Sequence, residues 1–428
     1  MKYSGLDVYE KSIRKTDHAE VFMAKNEDGD FIAVSGKNPG FTGKKTAGGI
    51  FRAPLTHKNA AVLRRVFPFT SPVKVLGKER TFGFGDRLGT ASPGHIRIIE
   101  KYDCLPVLAQ QSMRELALTG RGYKDVLDAA SFAVFREGFT KGFGADGDHL
   151  KTARDVKHAL SLGFTIITLD CSDYIKNGVT EDNAPPLAKA CAAKYLGKEF
   201  DIGEGIVIRF TEGELKKAAA VYGGAVAFAA GIYRRFFRKG KSGADLEISI
   251  DETALPTSPG QHYFAARELL DSGLVFATLA PRFCGEFQKG VDYRGDLDQF
   301  DREIKIHAAI ARHFGYKLSI HSGSDKFSVF PAIGKATRGI FHVKTAGTSW
   351  LEAMRMVSRL DAALYREIHR YALSVFNEAK KYYVISADPS ALKNIDGVPD
   401  AELPALFEND AARQLIHITY GFILRKKN

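Results

Sequence analysis

Two short segments late in the chain, LSIH at 318–321 and FHVKT at 341–345, alternate apolar and polar residues with a period of two. That is the signature of strands with one polar face. His321 shares a face with Ser319, and His342 with Lys344, so the two polar faces are expected to converge. The same texture runs from residue 80 onward: a short strand, a polar cluster at its end, then a helical stretch. TFGFGDR (81–87) ends in Asp86 and Arg87, and LPVLAQQS (105–112) in Gln110, Gln111 and Ser112. FTKGFGADGDHL (139–150) ends in Asp146, Asp148 and His149, and FTIITLDCSD (164–173) in Asp170, Ser172 and Asp173. LEISIDET (246–253) ends in Asp251, Glu252 and Thr253, and LVFATLAPRF (274–283) in Pro281 and Arg282. KLSIHSGSD (317–325) and IFHVKTAGTS (340–349) complete eight.

Eight strands alternating with helices, each with polar chemistry at its C-terminal end, predict a (β/α)8 TIM-type barrel. The rival is an open doubly wound sheet, which would concentrate its polar ends near one switch point. Residues 1–78 read as a β-rich N-terminal cap. In it AEVFMAKNEDGDFIAVSG predicts a hairpin around Asp28-Gly29, and THKNAAVLRRVF a helix with Thr56 as N-cap. The barrel spans 79–382, with an insertion at 174–243 after the fourth strand that contains the short strand GIVIRF. A long helical run, WLEAMRMVSRLDAALYREIHRYALSVFNEAKKYY, follows residue 349, and 383–428 form a C-terminal extension packed on the barrel.

Composition narrows the function classes. With 428 residues, 45% of them hydrophobic, the chain can bury a large core. Lys and Arg outnumber Asp and Glu by 61 to 50, which gives +11 and admits anionic partners. The excess is diffuse. Its densest runs, RRFFRKGK (234–241) and RKK (425–427), are short and lack any nucleic-acid-binding motif, so a solvated face is expected. Four scattered cysteines without a CxxC pair fit a reducing cytoplasm, and MKYSGLDVYEKSIRK lacks the apolar core of an export signal. AAAVYGGAVAFAAGIY (218–233) is short of the roughly 20 apolar residues of a spanning helix and reads as a buried, closely packed helix. No membrane and no nucleic acid are expected as partners. A homo-oligomer is left open.

The strand ends supply the candidate chemistry. His149, His321 and His342 are candidate ligands for a divalent metal such as zinc, nickel, cobalt, iron or manganese. The bland alternative makes each a hydrogen-bonded core residue. Asp148, Asp170, Asp251 and Glu252 form an acid/base pool in which Asp148, beside His149, could take a substrate proton and Glu252 could serve the opposite side, unless both are metal ligands; helix capping is the other alternative, above all for Asp170. Arg87, Arg282 and Lys344 suit a carboxylate or a carbonyl, unless they are structural ion pairs. Gln111 and Asp170 complete the expected substrate contacts. GFGADG (142–147) matches GxGxxG, with Asp170 about twenty residues on. This dinucleotide reading suffers from Asp146 and Asp148, whose charges stand where a pyrophosphate needs N–H donors.

GDRLGTASPGHIR, GFGADGDHLK, FSVFPAIGKAT, FHVKTAGTSWLEA and RQLIHITYGFIL together resemble the tagaturonate epimerase family over nearly the whole chain. The resemblance implies a divalent-metal-dependent epimerase that interconverts tagaturonate and fructuronate, with some members acting on tagatose and fructose. The substrate is then a small sugar acid or ketohexose. It places an acid/base pair and histidine ligands on Asp148, His149, Glu252, His321 and His342, with Asp148 as base and Glu252 as acid on opposite faces, although His342 and Glu252 could exchange roles as ligand or acid. The inverted carbon lies one beyond the position α to the ketone, so enolisation alone cannot invert it. A retro-aldol route and a route of carboxylate-mediated proton transfers both remain open. An NAD-dependent sugar epimerase and a metal-dependent aldolase are the rival activities.

Overall fold

The computed structural model of the chain describes residues 6–426, apart from 47, 78, 241 and 393. The first five residues of the N-terminal segment, the last residues of the two basic runs and the boundary of the cap at residue 78 thus lie outside the described residues.

Eight parallel strands close into a barrel. They are β1 (Thr81–Phe84), β2 (Leu105–Gln110), β3 (Gly144–Leu150), β4 (Ile166–Asp170), β5 (Asp245–Ile250), β6 (Thr278–Pro281), β7 (Lys317–Ile320) and β8 (His342–Thr345), in that order around the ring. All eight expected strands are present, and the polar clusters read from the sequence lie at their C-terminal ends. Closure is made by β8 on β1, where His342 pairs with Thr81 and Lys344 with Gly83.

The inside of this barrel departs from the usual one. Barrels of this class fill their interior mainly with branched apolar side chains. Here Thr81, Asp146, Thr168, Glu247, Thr278, Ser319, His342 and Lys344 are all buried, while Leu169, Ile248, Leu279 and Val343, their strand neighbours, join the main core outside. The alternation read in LSIH and FHVKT therefore holds in ITLD and LEISID as well. Its polar phase faces inward.

The cap is a six-stranded antiparallel sheet. Ala19–Asn26 and Gly29–Gly36 form its hairpin, with Asn26 opposite Gly29. The turn residues are thus Glu27 and Asp28, one position before those expected, and Gly29 opens the second strand at φ +118, where an L side chain would be strained. Thr56 caps helix His57–Val66 by accepting from the Asn59 N–H, as predicted.

The segment after β4 is only partly an insertion. Helix Glu212–Phe236, capped by Thr211 and Glu214, leads back into β5 and packs on helix Pro259–Asp271, so it serves as the fourth crossover. It is long and apolar enough to cross a membrane, yet its Leu215, Ala218, Tyr222, Ala225 and Ala229 lie in the barrel's outer core. Small residues there let the helix approach closely. Of GIVIRF, only Val207–Ile208 is a strand, paired with Phe200–Asp201.

The helical run after residue 349 is two helices, Ser349–Leu360 and Ala362–Lys380, broken where Asp361 accepts from the Leu364 N–H. Both pack with the C-terminal helix Asp410–Arg425 around Trp350, Tyr365, Phe376, Phe407 and Tyr420, in a core separate from that of the barrel. The extension's hydrophobic unit therefore begins near residue 350, not at 383.

Candidate active site

The C-terminal mouth of the barrel holds a polar cavity of about 450 Å³ lined by Arg87, Gln110, Asp148, His149, Asp170, Asp251, Glu252, Lys289, His321 and Lys344, among others. A second cavity of about 400 Å³ adjoins it, sharing Arg114, Asp251, Glu252, Lys289, His321, Ser322 and Tyr383.

His149, Asp251 and His321 come together at the floor, with one potential ligand atom from each lying within 4.8 Å of the others. His149 reaches the site because its backbone sits at φ +56 as β3 ends, a conformation uncommon for a non-glycine residue. Its Nδ1 lies 2.7 Å from Asp148 Oδ1. His321, just past β7, stands between two carboxylates, with Nδ1 3.0 Å from Asp251 and Nε2 2.9 Å from Glu247. Burial alone would discharge it, but Asp251 and Glu247 outweigh that and push its pKa up to about 10. His149 is raised as well, because Asp148 outweighs burial.

Below the histidines, Lys344 is enclosed by Asp146 and Asp148, each at 2.6 Å, and Glu247 at 2.9 Å. Burial opposes its charge, but the three carboxylates hold its pKa well above the usual range. In return Lys344 overcomes burial to keep Asp148 and Glu247 ionised well below the usual carboxylate range. Burial wins at Asp146, which is raised to about 6. Thr168 and Thr278 donate to the same carboxylates.

This donor set fits a divalent metal. Two imidazoles and a carboxylate converge, and Asp148 and Glu247 each take the other ring nitrogen of a histidine, the outer arrangement that orients imidazole ligands. His149, His321 and Asp251 would hold the ion.

The other expected residues divide. His342 is not in this group. As the first residue of β8 it lies one inward-facing layer below Lys344, with Nδ1 2.9 Å from Thr81 Oγ1. Burial drives its pKa down to about 3. The convergence expected of His321 and His342 thus fails, because the two occupy different heights along the barrel axis. Asp251, not His342, completes the triad. Glu252 lines the cavity beside it, and among the described residues it has no hydrogen-bond or ion-pair partner. Asp170 lines the cavity but also accepts the Ser172 N–H and faces Lys151 at 3.6 Å.

Arg87 lines the cavity as a brace. It donates to Glu115 and to the His417 carbonyl at 2.6 Å, and stacks 3.6 Å over Tyr420, so it ties the barrel to the C-terminal helix. This gives the RQLIHITYG segment its part in building the mouth. Gln111 is turned away from the cavity toward Arg121, and its neighbour Gln110 takes the lining position. Side chains alternate across a strand, so only one of the two can face inward. Arg282 donates to the Thr253 carbonyl and lines the adjoining cavity only.

Reading strand ends alone misses Glu247, Lys289 and Arg114. Glu247 had a signal, since a carboxylate in phase with Ser249 and Asp251 in LEISID lies on one face. Lys289 and Arg114 had none, because both sit in segments beyond the strand ends. GFGADG is no phosphate loop: Gly144 opens β3, where an added Cβ would meet Val75, Ile166 and Val107 within 3.1 Å.

The model of the tagaturonate epimerase family matches residues 9–428. The tagaturonate/fructuronate epimerase of Thermotoga maritima is 45% identical over 436 residues, covering 98% of this chain and 90% of the relative. The native crystal structure of fructuronate-tagaturonate epimerase from Cohnella laeviribosi, 46% identical, superposes with a TM-score of 0.96 over 99% of this chain and 89% of that one. A glycerol complex of the same enzyme gives 0.95 with the same coverage. A full-length match at this identity, with the closed barrel retained, establishes that the chain belongs to the tagaturonate epimerase family.

Proposed function

We propose that this protein is a divalent-metal-dependent epimerase that interconverts D-tagaturonate and D-fructuronate. The observation that carries the reading is the meeting of His149, Asp251 and His321 at the floor of a polar cavity, in a chain of this family. A bound divalent ion would act there as a Lewis acid toward the ketone of the substrate.

The arrangement of the carboxylates favours the retro-aldol route. A two-base proton shuttle needs a free carboxylate on each face of the substrate. Asp148 is committed to Lys344 and His149, which leaves it a weak base and makes it a positioning residue for the histidine. Glu252 is uncommitted. It takes the proton from the hydroxyl on the carbon to be inverted. The bond between that carbon and the one α to the ketone then breaks, and its electron pair passes to the ketone fragment while the other fragment becomes an aldehyde. After the aldehyde turns its opposite face, the bond reforms and Glu252 returns the proton. Enclosure by the C-terminal helix and the braced Arg87 keeps the fragments together.

Metal analysis of the purified protein, with chelation and re-addition of zinc, nickel, cobalt, iron or manganese, tests the first part. Activity should vanish on chelation and return with one of these ions; a chelated sample that stays fully active overturns the metal. Product NMR in D2O tests the route. No deuterium should enter the inverted carbon, whereas incorporation there would establish proton transfer at carbon. Accumulation of three-carbon fragments would make the protein an aldolase.

A further inference from the structure

Most cations around the two joined cavities already have a partner, and Arg282, which among the described residues has no carboxylate within ion-pair distance, lines only the second cavity and donates to the Thr253 carbonyl. Arg87 is taken by Glu115, Lys151 by Asp170 and Asp173, and Lys344 by three carboxylates. Lys289 and Arg114 line both cavities, and among the described residues neither has a carboxylate within ion-pair distance. Among the described residues Lys289 donates only to Ser322 Oγ, at 2.9 Å. Arg114 donates to the Tyr382 carbonyl and lies over the Tyr383 ring. An ammonium partly withdrawn from water without an anion is unfavourable, and it becomes favourable once an anionic ligand supplies the missing charge.

The segment carrying Lys289 is held in place. Gln414 donates to the Lys289 carbonyl and Arg413 to that of Gly290, both from the C-terminal helix. From the other side the buried Lys326 donates to the carbonyls of Gln288, Val291 and Ser324. Main-chain carbonyls flanking Lys289 are thus pinned by three long cationic or amide side chains, which limits the entropy its ammonium loses on binding. Ser322, its one partner, follows His321 directly, so Lys289 adjoins the His149, Asp251 and His321 group along the cavity.

We propose that Lys289, with Arg114 at the rim, receives the carboxylate of the substrate and so sets the preference for a hexuronate over a neutral ketohexose. The proposal rests on the epimerase reading for the identity of the substrate, but not for the binding it describes. The metal-loaded enzyme is titrated by calorimetry with a six-carbon sugar acid, gluconate, and with its uncharged counterpart, sorbitol. Lys289→Met should weaken gluconate binding about 10- to 100-fold, with a loss for sorbitol at least about tenfold smaller. Lys289→Arg should recover part of the loss, and Arg114→Met, at an exposed rim position, should show a smaller loss of the same sign. In turnover the Lys289→Met defect should appear in KM for tagaturonate more than in kcat. Equal weakening of both ligands, unchanged gluconate binding, or wild-type enzyme that does not distinguish the two would each overturn the proposal. Charge-selective binding that depends on Lys289, in a protein that epimerises neither uronate, would uphold it and defeat only the epimerase reading.

Discussion

His321 and His342 lie on neighbouring strands, both are buried, and they differ in every chemical respect. His321 sits past the end of β7 between Asp251 and Glu247, and its pKa is pushed up to about 10. His342 opens β8, faces Thr81, and falls to about 3. A strand rises about 3.3 Å per residue, so two residues along β8 separate the Lys344 layer from the His342 layer by roughly 7 Å. That height determines which partners a side chain meets. Burial alone predicts a neutral imidazole in both places; carboxylates at the upper layer reverse the outcome in one. In this barrel the chemistry is stratified along the axis, with imidazoles held among carboxylates above and, below, a neutral imidazole that shares the Thr81 hydroxyl with the buried Lys317.

Four experiments would break or sharpen that contrast. The largest effect is expected for Asp251→Ala, which removes one of the three converging groups proposed to hold the metal; the purified variant should retain no metal by elemental analysis and show no epimerase activity. Next is Lys344→Met, which strands Asp146, Asp148 and Glu247 without their cation. Loss of one member of a buried charge cluster costs about 3–5 kcal/mol, to be read as a shift in urea unfolding. A variant as stable as the parent would show that the cluster is not held by Lys344. His342→Gln should cost only about 1–2 kcal/mol and leave the metal content intact, since it disturbs one hydrogen bond to Thr81. Loss of metal from that variant would return His342 to the ligand set.

The smallest effect concerns pH. His307, behind the barrel, is another buried neutral imidazole, lowered from 6.5 to about 3 by burial and 2.9 Å from His262. Between those two pH values the unfolded chain binds the proton and the folded chain does not, so stability falls as pH drops below about 6.5 and continues to fall toward about 3. In His307→Leu the fall between pH 6.5 and 5.5 should be shallower by about 1 kcal/mol. An unchanged slope would mean that this imidazole is charged in the fold.

Much of the architecture was legible because period-two strands and amphipathic helices leave local marks. All eight barrel strands, the Thr56 cap and the close packing of helix Glu212–Phe236 follow from such marks. The site was legible in part. His149, Asp148 and His321 are legible because each ends a strand. The sequence points to Gln111 where Gln110 faces the cavity, since a one-residue difference in phase at a strand end exchanges inside for outside. Arg87 looked like a substrate contact because its partners, His417 and Tyr420, are more than 300 residues away in sequence. Lys289 is illegible in the sequence for a related reason: its value lies in lacking an anionic partner among the described residues, and only the folded chain shows which cations are already paired.

By itself the sequence determined that eight strands would present polar ends to one mouth, because alternation and strand length are local properties of the backbone and its side chains. The tertiary structure alone decided how those ends are sorted. Register and height along the barrel axis set which carboxylate meets which imidazole, so Asp251 joins His149 and His321, His342 stays neutral beneath them, and Lys344 serves the carboxylates around it. These outcomes depend on distances of a few ångströms between residues far apart in the chain, and on competition between burial and charge that is settled only where they meet.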